Sequence, residues 1–297
     1  MDYELFIDGK KTELPIKTLH ITDKHGAEAD EIKITMLTNT DASISKGQRI
    51  ACNFGGFRSG NMNIDLVHCV STTAKIGAIS APIDAKAKRT RHWLKVRLFD
   101  IVNDVAVNCG ISVFYKGVEN IYYENVTQFR ETDLSFLNRL CIREGYTLKV
   151  DDCRIIIYDT AELEAEKTVK TIGFNDVIDN RIAFAENPNA VKSVTVKHFK
   201  DRLISYTADN LTQGEEITIN EYVNDEAEAE RFAKAYLKHF TRNEITVDAL
   251  IPITDGIASG NCIEIVDYAK YNGKYFICEC CHDPLNNQTR LIGRKIR

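Results

Sequence analysis

This chain of 297 residues is poor in the residues that mark flexible chains: it has five prolines and sixteen glycines. That is too few for a linker-rich or disordered protein. Its formal net charge is only −5, which gives no electrostatic basis for holding a phosphate backbone, so no sequence-specific nucleic-acid contact is expected. No apolar run approaches the ~20 residues needed to cross a bilayer, and no membrane insertion is expected. The opening stretch MDYELFIDGKK lacks a basic segment followed by an apolar one, so it does not read as a secretory signal. Nine scattered cysteines, an odd number, then read as reduced buried thiols in a protein made in a cytoplasm.

What is present is a 44% hydrophobic chain, long enough for about two domains of ~150 residues each. Residues 3–83 read as β: YELFIDG, EIKITML, QRIACNF and MNIDLVHCV alternate or are β-branched, and Gly- or Asp-containing turns divide them. Pro82 lies near the end of this block. From Lys88 to Cys109 the spacing of Trp93, Val96, Ile101 and Val105 predicts a helix closed by Gly110. An extended piece, ISVFYKG, precedes a second helix over Asp133–Glu144. Thr132 is placed to cap that helix, Leu134, Leu137, Leu140 and Cys141 form its stripe, and Gly145 ends it. YTLKVDDCRIIIYD predicts a hairpin turning at Asp151 and Asp152, so residues 86 to about 160 form a small α/β unit. Strands then return (SVTVKHF, LISYTA, EITIN, EITVDALI, NCIEIVDY, KYFICEC, TRLIGRKI). One helix, NDEAEAERFAKAYLKHF, interrupts them, capped by Asn224 or Asp225.

The two β blocks echo each other. Gly47 and Gly60 stand at the same separation as Gly260 and Gly273. The first glycine of each pair precedes a β-rich run, and the second precedes a strand reaching His68 or His282. The pattern predicts two copies of one barrel-like unit.

FICECCHDP (276–284) crowds Cys278, Cys280, Cys281 and His282 together, but no second ligand pair with zinc-knuckle spacing accompanies it. It reads as buried thiols in a strand with the histidine at its exit, and no metal or other cofactor is expected. Cys109 and Cys141 lie on apolar helix faces, and no nucleophile elbow, metalloprotease helix or P-loop is present. NFGGF (53–57) reads as a bend, and DTAELEAE and NDEAEAE read as solvated faces. KAKRTRHWLKVR (86–97) reads as the charged side of an amphipathic helix. Paired carboxylates leave little local trace, so a carboxylate hydrolase stays open as the alternative. No catalytic residue can be named for it.

Gln128 followed by ETDLSFLNRLCIREGY (131–146) resembles a segment of phage late control protein D and of the hub portion of type VI secretion spike proteins. The residues carrying the likeness are Gln128, Glu131, Asp133, Leu134, Phe136, Leu137, Leu140 and Gly145, with Thr132 where serine is common. Near the C-terminus the alanine-rich helix, Gly260, Gly273, Tyr275, His282 and the last strand follow the family's order. The resemblance implies an α+β, mainly β chain: two tail-tube-like β-barrel domains (1–85 and 166–297) around an α/β domain (86–165). It further implies a non-enzymatic baseplate hub of a contractile phage tail, tailocin or similar particle. There a homotrimer would form a pseudo-sixfold ring joining the tail tube to the central spike, with tape measure and wedge proteins as further neighbours. The runner-up reading is a tail-associated peptidoglycan hydrolase.

Overall fold

The structure, a computed structural model, describes residues 2–37, 44–82, 85, 87–186, 191–199, 201–210 and 213–296. The first block resolves into β1 (Tyr3–Ile7), β2 (Lys10–Lys11), β3 (Ile16–Lys24), β4 (Glu31–Leu37) and β5 (Arg49–Phe54). The block continues with β6 (Phe57–Arg58), β7 (Met62–Val70) and β8 (Thr73–Ile79). Alternation sends Leu19, Ile21, Ile32, Ile34, Ile50 and Ile64 into one cluster, as period-two side chains should.

The helix predicted from Lys88 is corrected: β9 (Lys88–Arg97) comes first, and α1 (Leu98–Cys109) only then. Arg89, Arg91 and Trp93 are half-buried while Lys88, Thr90, His92 and Leu94 are exposed, a strand period. Lys95 has φ +50°, which resets the alternation and returns Val96 inward. That slip made the spacing look helical. The α1 helix ends as expected at Gly110, φ +66°. After β10 (Ser112–Lys116) and β11 (Tyr122–Thr132) comes α2 (Asp133–Glu144), with Thr132 accepting from the Ser135 N–H at 3.3 Å and Gly145 left-handed at +82°. The hairpin of β12 (Tyr146–Asp151) and β13 (Arg154–Asp159) turns through Asp152 and Cys153, both at positive φ, before α3 (Thr160–Ala165).

The last third contains β14 (Lys170–Ile172), β15 (Ile182–Glu186), β16 (Val191–Phe199), β17 (Leu203–Asp209) and β18 (Glu215–Asn220). It continues with α4 (Glu226–Thr241), β19 (Ile245–Pro252), β20 (Cys262–Ile265), β21 (Gly273–Asp283) and β22 (Gln288–Lys295). Asp225 caps α4, its side chain accepting from the Glu228 N–H. Strands β16, β17 and β18 form a sheet of their own, and α4 covers it through Phe232, Ala233 and Tyr236.

The remaining β strands of both blocks share one large, mostly antiparallel sheet. Divided between β21 and β3, it reads β3-β4-β8-β7-β5-β1 on one side and β15-β19-β22-β21-β20-β14 on the other. Ranked by chain order, the strands fall in the same places in both halves. Local detail repeats too. The Gly47 N–H donates to Ile64 O at 2.8 Å and the Ile64 N–H to Gln48 O at 2.9 Å. The Gly260 N–H donates to Ile277 O and the Ile277 N–H to Asn261 O, both at 2.9 Å. A bulge follows Ile64 in β7 and Ile277 in β21. One element differs: β1 runs antiparallel to β5, whereas β14 runs parallel to β20. The glycine echo is therefore a repeat of strand order. Among the described residues these pairings do not by themselves close either half into a barrel.

Candidate functional site at the junction of the β halves

The two halves meet where β21, past its bulge, pairs antiparallel with β3: Glu279 opposite Lys24, Cys280 opposite Asp23, Cys281 opposite Thr22 and His282 opposite Ile21. Beneath this seam lies a polar clamp. Lys149 of β12 sends its ammonium to Asp23 Oδ1 at 2.5 Å, Ser259 Oγ at 3.0 Å, Lys24 O at 3.1 Å and Asp30 Oδ2 at 3.4 Å. The Ser259 N–H donates to Asp23 Oδ2 at 2.7 Å, and the Lys24 N–H to Asp30 Oδ1 at 2.7 Å. One ammonium thus ties the first half, the second half and the inserted unit together. Burial pushes the Asp30 carboxyl up to about 7, against the pull of Lys149, while the surrounding carboxylates raise Lys149 despite its own desolvation. The clamp borders a cleft of about 440 Å³ that also reaches Phe57, Asp151 and His282.

His282, at the exit of FICECCH, is buried; its Nδ1 is 2.9 Å from Thr289 Oγ1, and Phe57 and Phe54 pack on its ring at 4.6 and 5.2 Å. Burial pushes it down to about 4, so it is a neutral core side chain. Cys280 is fully buried, Cys278 sits at the bulge, and Cys281 accepts a weak bond from Thr22 Oγ1 at 3.8 Å. Among the described residues no three His, Cys, Asp or Glu side chains converge as metal ligands. Tyr275 is buried with its hydroxyl donating to Tyr271 O at 2.8 Å, while Gly260 (φ +87°) and Gly273 (φ +134°) supply backbone that a side chain would strain.

The α2 residues gather elsewhere, around a second buried polar group. Gln128 Nε2 donates to Asp133 Oδ1 at 2.9 Å and to Glu131 O at 3.1 Å. Asp133, fully buried, also takes Arg89 at 3.3 Å and Arg91 at 3.4 Å from β9. Glu131 pairs with Arg139 at 2.7 Å. Phe136 stacks on Trp93 at 5.2 Å, Leu137 and Leu140 are buried beside it, and Leu134 packs on the same cluster. At the C-terminal end of α2, Arg143 lies 4.9 Å over both Tyr123 and Phe232, and Glu144 accepts from Tyr123 and Arg231, which docks α4. Every α2 motif residue is thus a packing or tethering group.

The clamp itself was missed from sequence. A signal existed, because Asp23 shares its strand face with Leu19 and Ile21, a carboxylate where alternation puts apolar side chains. Two acids expected in solvated faces are instead engaged: Glu164 pairs with Arg294, and Glu228 caps the α4 N-terminus by accepting from the Asn224 N–H at 2.9 Å.

No protein-family model matches the chain, and no curated protein matches it. Solved structures do. The 43 kDa tail protein of prophage MuSo2 from Shewanella oneidensis superposes with a TM-score of 0.75 at 13% identity, over 99% of this chain and 98% of that one. The tail protein from Neisseria meningitidis gives 0.78 at 14% identity, over 99% and 97%. This is a phage tail-protein fold. An Escherichia coli component of the type VI secretion system, itself described as similar to tail proteins of bacteriophage T4, matches at 0.69 and 11% identity over 99% of this chain and 77% of that one. The likeness runs end to end, covering both β halves and the inserted unit of the tail-protein fold.

Proposed function

We infer that this chain is a structural, non-enzymatic subunit of a phage tail or phage-tail-like particle, placed at the baseplate hub. Three copies, each with two similar β halves, make a pseudo-sixfold ring that joins a sixfold tail tube to a threefold central spike, with tape measure and wedge proteins nearby. The observation that carries the reading is the repeated strand order within a tail-protein fold covering the whole chain. A subunit facing six equivalent neighbours on one side and three on the other needs two similar but unequal halves, and a diverged repeat supplies them. Residues 1–85 and 166–297 are the two tube-like units and 86–165 the insert that braces them. The α2 motif and the glycines serve as structural residues.

Light scattering on the full chain, alone and mixed with its spike, tests this, with a trimer as the expected result. A chain that stays monomeric in both cases overturns it. The hydrolase reading has one feature in its favour, an acid pushed up to about 7 in a cleft. Asp30 and Asp23 are, however, already consumed by Lys149, Ser259 and backbone N–H groups. Turnover of purified peptidoglycan that disappears in Asp30→Asn is the result that would restore it.

A further inference from the structure

The seam inside the chain is a template for the seam between chains. Its two edges, β3 and the segment Glu279–His282, each have a counterpart in the opposite half. β15 stands where β3 stands: Ile21 is opposite Ile32, which is opposite Ala78 beside the first bulge, and Phe184 is opposite Val247, which is opposite Gly293 beside the second. The segment Leu66–Cys69 follows the β7 bulge as Glu279–His282 follows the β21 bulge.

Among the described residues β15 pairs only with β19, and β5 covers β7 only at Met62 and Asn63. The exposures agree. Cys280, His282, Ile21 and Asp23 are buried at the closed seam, whereas Leu66 and Val70 are each 54% exposed and His68, Cys69, Ala183 and Ala185 are exposed. Neither open edge carries the lysine or proline that usually guards a free strand: one reads LVHCV and the other IAFAE.

We propose that β15 of one copy pairs antiparallel with Leu66–Val70 of the next copy, in the register of the internal seam: Phe184 opposite Cys69, Ala185 opposite His68 and Glu186 opposite Val67. The occupant is a second copy of this chain, because the chain itself presents both edges, with the spacing and the bulge position of the internal seam. The contact is heterologous, one edge meeting a different edge, so repetition closes into a ring when the turn divides the circle. The proposal rests on the ring reading above and adds the surface and register that would build it.

Disulfide trapping in the full chain tests the register. Residues directly opposite on antiparallel strands bring their Cα atoms to about 4.5–5.5 Å, within the span a disulfide bridges. Thr22→Cys calibrates the chemistry inside the chain, since Thr22 Oγ1 already lies 3.8 Å from Cys281 Sγ. The exposed pair His68→Cys with Ala185→Cys occupies the equivalent position across copies and leaves the Phe184–Tyr271 stack intact. The expected result is an intermolecular ladder at least ~10-fold stronger than for His68→Cys with Ala183→Cys, which sits two residues out of register on the same face, a diagonal too long for a disulfide. Phe184→Cys should trap native Cys69 in the same way, and Cys69→Ser should abolish that band. Copies that associate by light scattering without preferential trapping overturn the pairing and leave the ring reading standing. A chain that neither associates nor traps, alone and mixed with its spike, overturns both.

Discussion

Lys149→Met removes the one ammonium that binds the three regions of the chain and leaves its length largely unchanged. In the wild type Asp23 is 6% and Asp30 3% exposed, so the variant strands two carboxyls that water cannot reach. Breaking a buried ion pair from one side costs about 3–5 kcal/mol, far more than the ~1 kcal/mol of an exposed pair. The loss should depend on pH. Asp30 holds its proton up to about 7 in the fold, against 3.8 as the ordinary value. A raised acid stabilises the fold through its bound proton at low pH, and that contribution fades as pH rises toward the folded value. Without Lys149 the carboxyls favour the neutral form still more, so the deficit against wild type is largest at pH 8. At pH 6 it should shrink by about 1–2 kcal/mol. The comparison must be made at each pH, because His25, His239 and His282 are pushed down by burial and give wild type an opposing slope below 6.5. Urea unfolding at the two pH values measures it, and Asp30→Asn added to Lys149→Met should restore part of the loss. A deficit under ~1 kcal/mol, or one that does not change with pH, would refute the clamp as a buried electrostatic tie.

Other perturbations are simpler. Asp133→Asn leaves Arg89 and Arg91 facing a neutral amide in a fully buried site, and should cost about 3 kcal/mol in urea unfolding. Thr132→Ala removes the α2 cap and should cost about 1 kcal/mol, seen as a lower unfolding midpoint. Gly47→Ala and Gly260→Ala force alanine to φ near +90° with no atom closer than 3.8 Å to the new Cβ, so the two should lose similar amounts, about 1–2 kcal/mol each. Unequal losses there would argue against equivalent turns. Chelator treatment should leave the melting temperature unchanged; a drop together with about one zinc per chain would overturn the reading of FICECCH as a plain strand.

Much of this fold was legible because local chemistry and tertiary role agree. Thr132 and Gly145 bracket α2, Asp225 caps α4, and Asp152 turns its hairpin, since each satisfies a backbone requirement that does not depend on distant residues. The glycine pairs pointed to the repeat for the same reason, as the Gly47 and Gly260 turns need positive φ. Failures came where tertiary context decided. The slip at Lys95 let a strand counterfeit helical spacing, and the pairing of β16, β17 and β18 into a separate sheet cannot be read from three amphipathic strings. The Lys149 clamp was hidden because its contacts span long stretches of sequence, 126 residues from Asp23 to Lys149 and 236 from Asp23 to Ser259, and only Asp23 breaks a local pattern.

The place where the two halves disagree is itself informative. β14 enters its sheet from α3, and that approach is pinned: Lys274 Nζ donates to Glu164 O at 2.6 Å, the Cys262 thiol donates to Leu163 O at 3.4 Å, and Arg294 pairs with Glu164. The chain must leave the inserted unit there and join β20 directly, so the strand runs parallel where β1 runs antiparallel. This departure lies at the far side of each half from β3 and β15. Two copies of a unit that assemble edge to edge must agree at the edges that pair and are free to diverge elsewhere. The matching bulges and the equivalent β3 and β15 registers, set against the difference at β1 and β14, fit the edge-to-edge pairing proposed above.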